Sequence, residues 1–222
     1  MWPTYRSVPV KVMRIASHKD ITVRFQDALS YTTSVSSSTL RSGHIKNPYQ
    51  ASVWGIGYMG VGEHTTTTSK LAYDRWKKML ETSVKGGKYS VCPAWLNFQK
   101  FAAWLYSQEN YRDKNVLDKS VLNPNSREYN PESCTLLPRA VHSTVLVEDN
   151  MDILLNPDTE RYELYFYVSG ARRMFGSYLS RQQAQAFYPI EKKKLVCAAA
   201  RHYKSRLTHE AYNALMRWEL PE

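Results

Sequence analysis

The sequence predicts an α+β fold class, with a small β-rich N-terminal unit, a helical centre and a C-terminal unit of β-sheet plus helix. Three observations predict it. Apolar residues alternate at every second position near the N-terminus. Two stripes at helical spacing occupy the middle. An alternating aromatic segment followed by a capped helical segment fills the last part of the chain.

The elements follow in order. In "VPVKVMRI" Val8, Val10, Val12 and Ile15 form one apolar strand face, and in "ITVRFQ" Ile21, Val23 and Phe25 oppose Thr22 and Arg24. "SHKD" turns between them, "SYTTSV" adds a third strand, and "SSSTLRSGH" offers serine N-caps and a Gly43 stop for a short helix. Arg24, Arg41, His44 and Lys46 give this unit a basic face. Residues 51–70 hold four of the nine glycines and read as a linker or loop. Their Gly55-Ile-Gly57-Tyr-Met-Gly60 has a dinucleotide-site spacing, but a threonine run follows where that site needs a helix. Ala72, Trp76, Met79 and Leu80 line one helix. Trp95, Phe98, Phe101, Ala102 and Leu105 line a second that begins near Pro93. In the tail, Tyr162, Leu164, Phe166 and Val168 alternate, "SGAR" over 169–172 turns, and a second strand follows. Ser180 caps a helix that Pro189 interrupts, and a further helix starts there. The implied segments are 1–50, a linker over 51–70, a centre over 71–150 and a tail over 151–222.

The 222 residues carry 30 Lys+Arg against 20 Asp+Glu, a formal charge of +10. That excess favours a polyanion, nucleic acid first. From Arg172 to Arg206 nine basic residues (Arg172, Arg173, Arg181, Lys192, Lys193, Lys194, Arg201, Lys204, Arg206) face one acid, Glu191. Sixteen Tyr and six Trp suit stacking on bases as well as core packing. Cys92, Cys134 and Cys197 are far apart with no Cys-x-x-Cys, which argues against a zinc ribbon. No signal-peptide pattern and no apolar run of about 20 residues occurs, so a soluble cytosolic chain with reduced thiols and no membrane partner is expected.

Metal-assisted phosphodiester cleavage needs a base, a divalent metal at the leaving oxygen and a positive surface. The His-metal finger, or HNH motif, supplies these on a hairpin followed by a helix, a ββα unit. The stretch "VLDKSVLNPNSREYNPESCTLLPRAVH" matches that frame by spacing. Asp118-Lys119 falls where Asp-His belongs. Ser133 lies fourteen residues later, at the bracing Asn, and His142 nine beyond that, at the final metal ligand. Asp118 and His142 are the candidate ligands of one Mg2+ ion. Lys119, Ser133 and His142 are the candidate catalytic residues. Glu63, His64 and Glu132 are candidates for a further ligand.

The chain resembles tailed-phage proteins of the HNH or homing-endonuclease type. The matching stretches include "ITVRFQDALSYTTSVSSSTLRSGHIKNPY", "ASVWGIGYMGVGEH", "VCPAWLNFQKFAAWLYSQENY", "LDKSVL", "YNPESCTLLPRAVHS" and "YNALMRWEL". The tail, "ERYELYFYVSGARRMFGSYLSRQQAQAF", is similar to the plant ethylene-response-factor DNA-binding domain, a three-stranded sheet packed on a helix. The resemblance implies a phage-encoded protein of the host cytoplasm that binds double-stranded DNA. Arg172 and Arg173 would meet the DNA, with Arg24, Arg41, Lys46, Lys192, Lys193, Lys194 and Arg201 on the other basic surfaces. The family's second acid is Ser120 here, and its usual Asn is His142.

Three functions follow. The first is a magnesium-dependent DNA endonuclease. The second is a catalytically silent DNA-binding regulator, or inhibitor of host DNA enzymes, on the same scaffold. The third is a component that meets a host or phage protein through its basic surface.

Overall fold

The structure is a computed structural model that describes residues 8–111, 114–146, 152–168 and 171–220. It is a mixed α+β chain dividing into two compact units. One comprises the described residues up to Val84 together with Pro93–Ala102, and the other Lys85–Cys92 together with the described residues from Ala103 onward. The four expected segments therefore regroup. The expected linker and most of both central helices belong with the N-terminal unit. Residues 169 and 170 of the expected turn and the expected boundary at 150 lie outside the described residues, and Ala171 and Arg172 of that turn belong to a strand.

In the first unit, β1 (Val10–Ser17), β2 (Asp20–Phe25) and β3 (Thr32–Val35) form an antiparallel sheet in that order. Val10, Ile21, Val23 and Phe25 are buried with Leu40 and Ile45. Leu40 comes from α1 (Ser37–Ser42), capped by Ser36 and stopped by Gly43 at φ 71°. Ile15 departs from the expected inward face and is 71% exposed. The register shifts on both sides of it, between Val12 and Arg14 and between Ile15 and Ser17, break the alternation.

α2 (Lys70–Gly86) buries the four residues of its expected stripe. The second stripe is also buried, but on two elements: a 3₁₀ turn over Pro93–Leu96 and then α3 (Phe98–Ser107). Asn97 separates them because its Oδ1 accepts from the Gln99 amide, 2.9 Å away, and so caps the next turn. The Trp76 indole donates to Trp95 O at 2.6 Å, which ties α2 to that turn.

The glycine-rich stretch is packed rather than free. A Cβ on Gly57 would stand 2.3 Å from Leu80 Cδ1 and 2.8 Å from Trp76 Cζ2. These glycines let backbone approach a helix, and no nucleotide-binding strand–helix turn is formed.

The second unit holds two two-stranded pairings, a three-stranded sheet and helices. β4 (Ser90–Val91) pairs parallel with β6 (Glu128–Tyr129), and β5 (Asn115–Asp118) pairs antiparallel with β7 (Thr135–Pro138). α4 (Arg139–Val145) follows β7 directly. β8 (Asp152–Asn156), β9 (Arg161–Val168) and β10 (Ala171–Tyr178) form an antiparallel sheet in the order β10-β9-β8. Leu164 and Phe166 bury one sheet face against Ala184, Tyr188 and Leu195 of α5 (Arg181–His202). Val141 and Val145 pack with Val196 and Ala200, and with Ala211 and Leu215 of α6 (His209–Met216).

α5 runs unbroken through Pro189, contrary to the expected interruption. The proline removes the donor that Gln185 O would use, yet Ala184, Tyr188, Leu195, Val196 and Ala200 are buried on both sides of it. Burial worth about 1.5–3 kcal/mol for each large apolar side chain outweighs one broken turn. Among the described residues no helix is long and apolar enough to cross a membrane.

Two outcomes are expected in urea unfolding followed by circular dichroism. Pro189→Ala raises stability by about 1–3 kcal/mol, because it restores an interior donor without moving the buried face. Gly57→Ala lowers it by about 1–3 kcal/mol, because Leu80 and Trp76 have no room to retreat. A neutral result for Gly57→Ala would mean that the loop does not seat on α2.

Candidate functional site

β5 ends on Asp118, whose side chain is 3% exposed. A buried carboxylate requires donors, and the chain supplies them by turning back at once. Asp118 Oδ1 accepts from the Ser120 amide at 2.8 Å, the Val121 amide at 2.9 Å and the Ser120 hydroxyl at 3.2 Å. Oδ2 faces His142 Nε2 at 3.6 Å. His142 reaches this point because α4 begins immediately after β7. The pairing of Asn115 with Pro138 and of Asp118 with Thr135 sets β7 beside β5.

Asp118 Oδ2 and His142 Nε2 are the two groups that could hold a divalent cation. Ligand atoms about 2.1 Å from a common ion lie about 3.0–3.6 Å apart at ordinary coordination angles. The Asp118–His142 separation lies at the upper end of that range and is long for a direct hydrogen bond. Water would complete the shell, since among the described residues no group of three or more His, Cys, Asp or Glu side chains converges for a metal. Glu132 is exposed, and His64 Nδ1 is engaged by Ser69 Oγ at 3.0 Å in the other unit.

Lys119 lies apart from the carboxylate. Its Nζ stands 3.3 Å from the centroid of the Tyr89 ring, a cation–π contact. Tyr89 in turn meets Tyr129 edge-on at 6.1 Å. The β4–β6 pairing brings these two rings together, and no sequence spacing pointed to Tyr89. The Ser133 hydroxyl donates to Glu128 O at 2.8 Å, and its amide donates to Asn130 Oδ1 at 2.8 Å.

The expected DNA-binding residues divide into three groups. Arg24 pairs with Lys11 across the head sheet, and Arg14 pairs with Thr22 on the same face. Lys11 and Arg14 were missed because they become neighbours of Arg24 only through strand register. Arg41 and Lys46 are exposed. In the tail, Arg172 pairs with Tyr167 on the outer sheet face and lies 4.0 Å from the Tyr165 ring. Arg173 pairs with Phe166 and so belongs to the opposite face, although it is exposed. Glu163 shares the outer face, where hydrogen bonds from Tyr165 and Asn156 hold its carboxyl below the usual range.

On α5, Lys192 contradicts its expected role. It is 6% exposed and donates to Leu146 O at 2.9 Å, because its helical position falls on the buried side with Tyr188 and Leu195. Lys193 and Lys194 meet Glu219 and Glu191 at 3.4 and 2.8 Å. Arg201 is exposed.

Burial pushes Tyr129 up to about 12, with Cys134, Tyr89 and Asp118 adding to the effect. Burial pushes the Cys134 thiol up to about 12 as well, against opposing hydrogen bonds from the Asn130 backbone and Ser133. Both groups keep their protons in the folded state when the unfolded chain has begun to release them, from about pH 9 for the thiol and pH 10 for the phenol. Their contribution to stability is therefore complete below about pH 9 and is lost as pH rises toward 12. The urea midpoint should fall steadily above about pH 9, and Cys134→Ala should delay that fall by about one pH unit. An unchanged alkaline profile would mean that Cys134 is not buried as a thiol.

No family model, curated protein or solved structure matches this chain, so its site rests on its own geometry.

Proposed function

We propose that this chain is a double-stranded-DNA-binding protein of the HNH, homing-endonuclease-like type, with one divalent cation held by Asp118 and His142. The observation that carries the reading is the strand–strand–helix unit of β5, β7 and α4, with Asp118 Oδ2 and His142 Nε2 at 3.6 Å. The head sheet supports it independently. Lys11 and Arg24 are directly opposite one another, and like charges in that position destabilise a sheet unless a polyanion lies across it. The three-stranded tail sheet backed by α5 agrees with a groove-reading element, with Arg172 on its outer face.

Magnesium is the proposed ion, and manganese matches the imidazole nitrogen better. When bound, the cation would stabilise charge on the phosphodiester's leaving oxygen. The chain's own residues do the rest. Asp118 is oriented by the Ser120 and Val121 amides, and Ser133 holds the β6–β7 loop to Glu128 O. Lys119 offers a cation for the strand beside this pair.

One observation favours the silent DNA-binding regulator or inhibitor as a second reading. The residue at the base's place, Lys119, rests on Tyr89, and the one imidazole shown beside Asp118, His142, is the proposed metal ligand. A host or phage protein would then be the functional partner.

Supercoiled-plasmid nicking at low salt, with magnesium or manganese against EDTA, separates the two readings. Nicking that requires metal and is lost in His142→Ala supports the endonuclease. Salt-sensitive gel-shift binding without nicking supports the silent scaffold. Absence of DNA binding at low salt overturns both.

A further inference from the structure

The first unit contains a cavity of about 760 Å³, within the usual range for small-ligand sites. Its walls come from the loop after α1, the glycine-rich loop and α3, all within that one unit. The wall is preformed. Gln99 Nε2 donates to Met59 O at 3.0 Å and His64 O at 2.8 Å, and its Oε1 accepts from the His64 amide at 3.0 Å. One side chain thus clamps both ends of the 59–64 loop. Gly60 sits at φ 68°, and a Cβ there would stand 2.4 Å from Asn97 Oδ1; a Cβ on Gly62 would stand 2.3 Å from Gln99 Oε1. Gly60 holds a left-handed φ, and a Cβ on Gly62 would displace the clamping Gln99 side chain.

The chemistry of the lining is one-sided. Lys46, His44 and His64 line the cavity, and no Asp or Glu is among its described lining residues. Two acids adjoin this lining: Asp27 Oδ2 accepts from Asn47 Nδ2 at 2.6 Å, and Glu63, 88% exposed, stands 3.8 Å from His64 Nε2. Beside this basic rim are Tyr31 and Met59, with Gln50 and Ser52 as polar groups. An apolar, aromatic wall next to a basic rim selects a ligand with a flat body and an anionic head. Bases stack on rings, and phosphates take cations and backbone amides.

We propose that this cavity binds a mononucleotide, with its phosphate at Lys46, His44 and His64 and its base against Tyr31 and Met59. The nucleotide has two sources. It is either free in solution or a nucleotide unstacked from DNA, and the second source rests on the DNA-binding reading above.

The test uses the full chain, with Lys46→Glu to reverse the rim charge and Thr66→Trp to fill the mouth without changing charge. Both positions are exposed, and circular dichroism checks the fold of each variant. Calorimetric titration with the four deoxynucleoside monophosphates, the deoxynucleosides and inorganic phosphate probes the free source. A duplex with a central 2-aminopurine probes the DNA source, since that base brightens when unstacked. Monophosphate binding that both folded variants weaken at least tenfold supports a free nucleotide, even if the protein binds no duplex. 2-Aminopurine brightening that Thr66→Trp abolishes, with duplex affinity retained, supports an unstacked one. Inorganic phosphate binding as tightly as the monophosphates overturns the base site. Duplex binding with no brightening, together with no monophosphate binding, overturns the proposal and leaves the DNA-binding reading standing.

Discussion

The second unit is organised around a carboxylate that water barely reaches. Burying Asp118 without partners would be prohibitive, so β5 must end where the chain can turn two amides back onto it. That requirement sets the loop after β5. It also sets α4, because His142 must complete the far side. The helix has no freedom to drift: Leu137 at its root and Val141 and Val145 along it are anchored among Val196, Ala200 and Leu215. The chemistry of the site is thus fastened to the hydrophobic core by a single turn of helix.

The surroundings of this carboxylate are kept free of competing anions. Tyr129 and Cys134 lie near enough to interact with it electrostatically, and burial keeps both protonated through the physiological range. Lys119, one residue beyond Asp118, is drawn to a ring face instead of to the carboxylate. A strand tends to project successive side chains to opposite sides, and here Asp118 meets His142 while Lys119 meets the Tyr89 ring. Lys119 is held on that side by about 0.5–2 kcal/mol of cation–π attraction.

The sequence made the periodic elements legible and left the contextual ones hidden. The stripe of Ala72, Trp76, Met79 and Leu80 is buried as read, because a long amphipathic helix has one way to hide that face. Pro189 misled because local propensity was set against a buried face extending to both sides of it. Ile15 misled because a strand bulge rotates side chains without leaving a mark in the pattern. The glycine segment resembled a linker, yet Gly57 is glycine because Leu80 and Trp76 occupy the space of a Cβ. The spacing from Asp118 to His142 did pick out two side chains that stand 3.6 Å apart, whereas Ser133 contacts Glu128 and Asn130. Tyr89 was invisible, since a two-residue parallel pairing brings it to Lys119.

Charge density along a sequence is a poor guide to charge density on a surface. The run from Arg172 to Arg206 looked like the strongest basic feature, but Lys192 is buried against Leu146 O, and Arg206 donates to Asn115 Oδ1 at 3.2 Å. Lys193 and Lys194 remain usable. Exposed ion pairs are worth about 0–1 kcal/mol, so exchanging Glu219 or Glu191 for a phosphate costs little. Lys192 cannot make that exchange, because it would abandon a buried acceptor and expose an inward face of α5. The head sheet is the reverse case. Lys11, Arg14 and Arg24 form no run in the sequence, yet register places them on one face. A basic surface is assembled here by strand pairing rather than by composition, and it gathers charge where the sequence alone displays little.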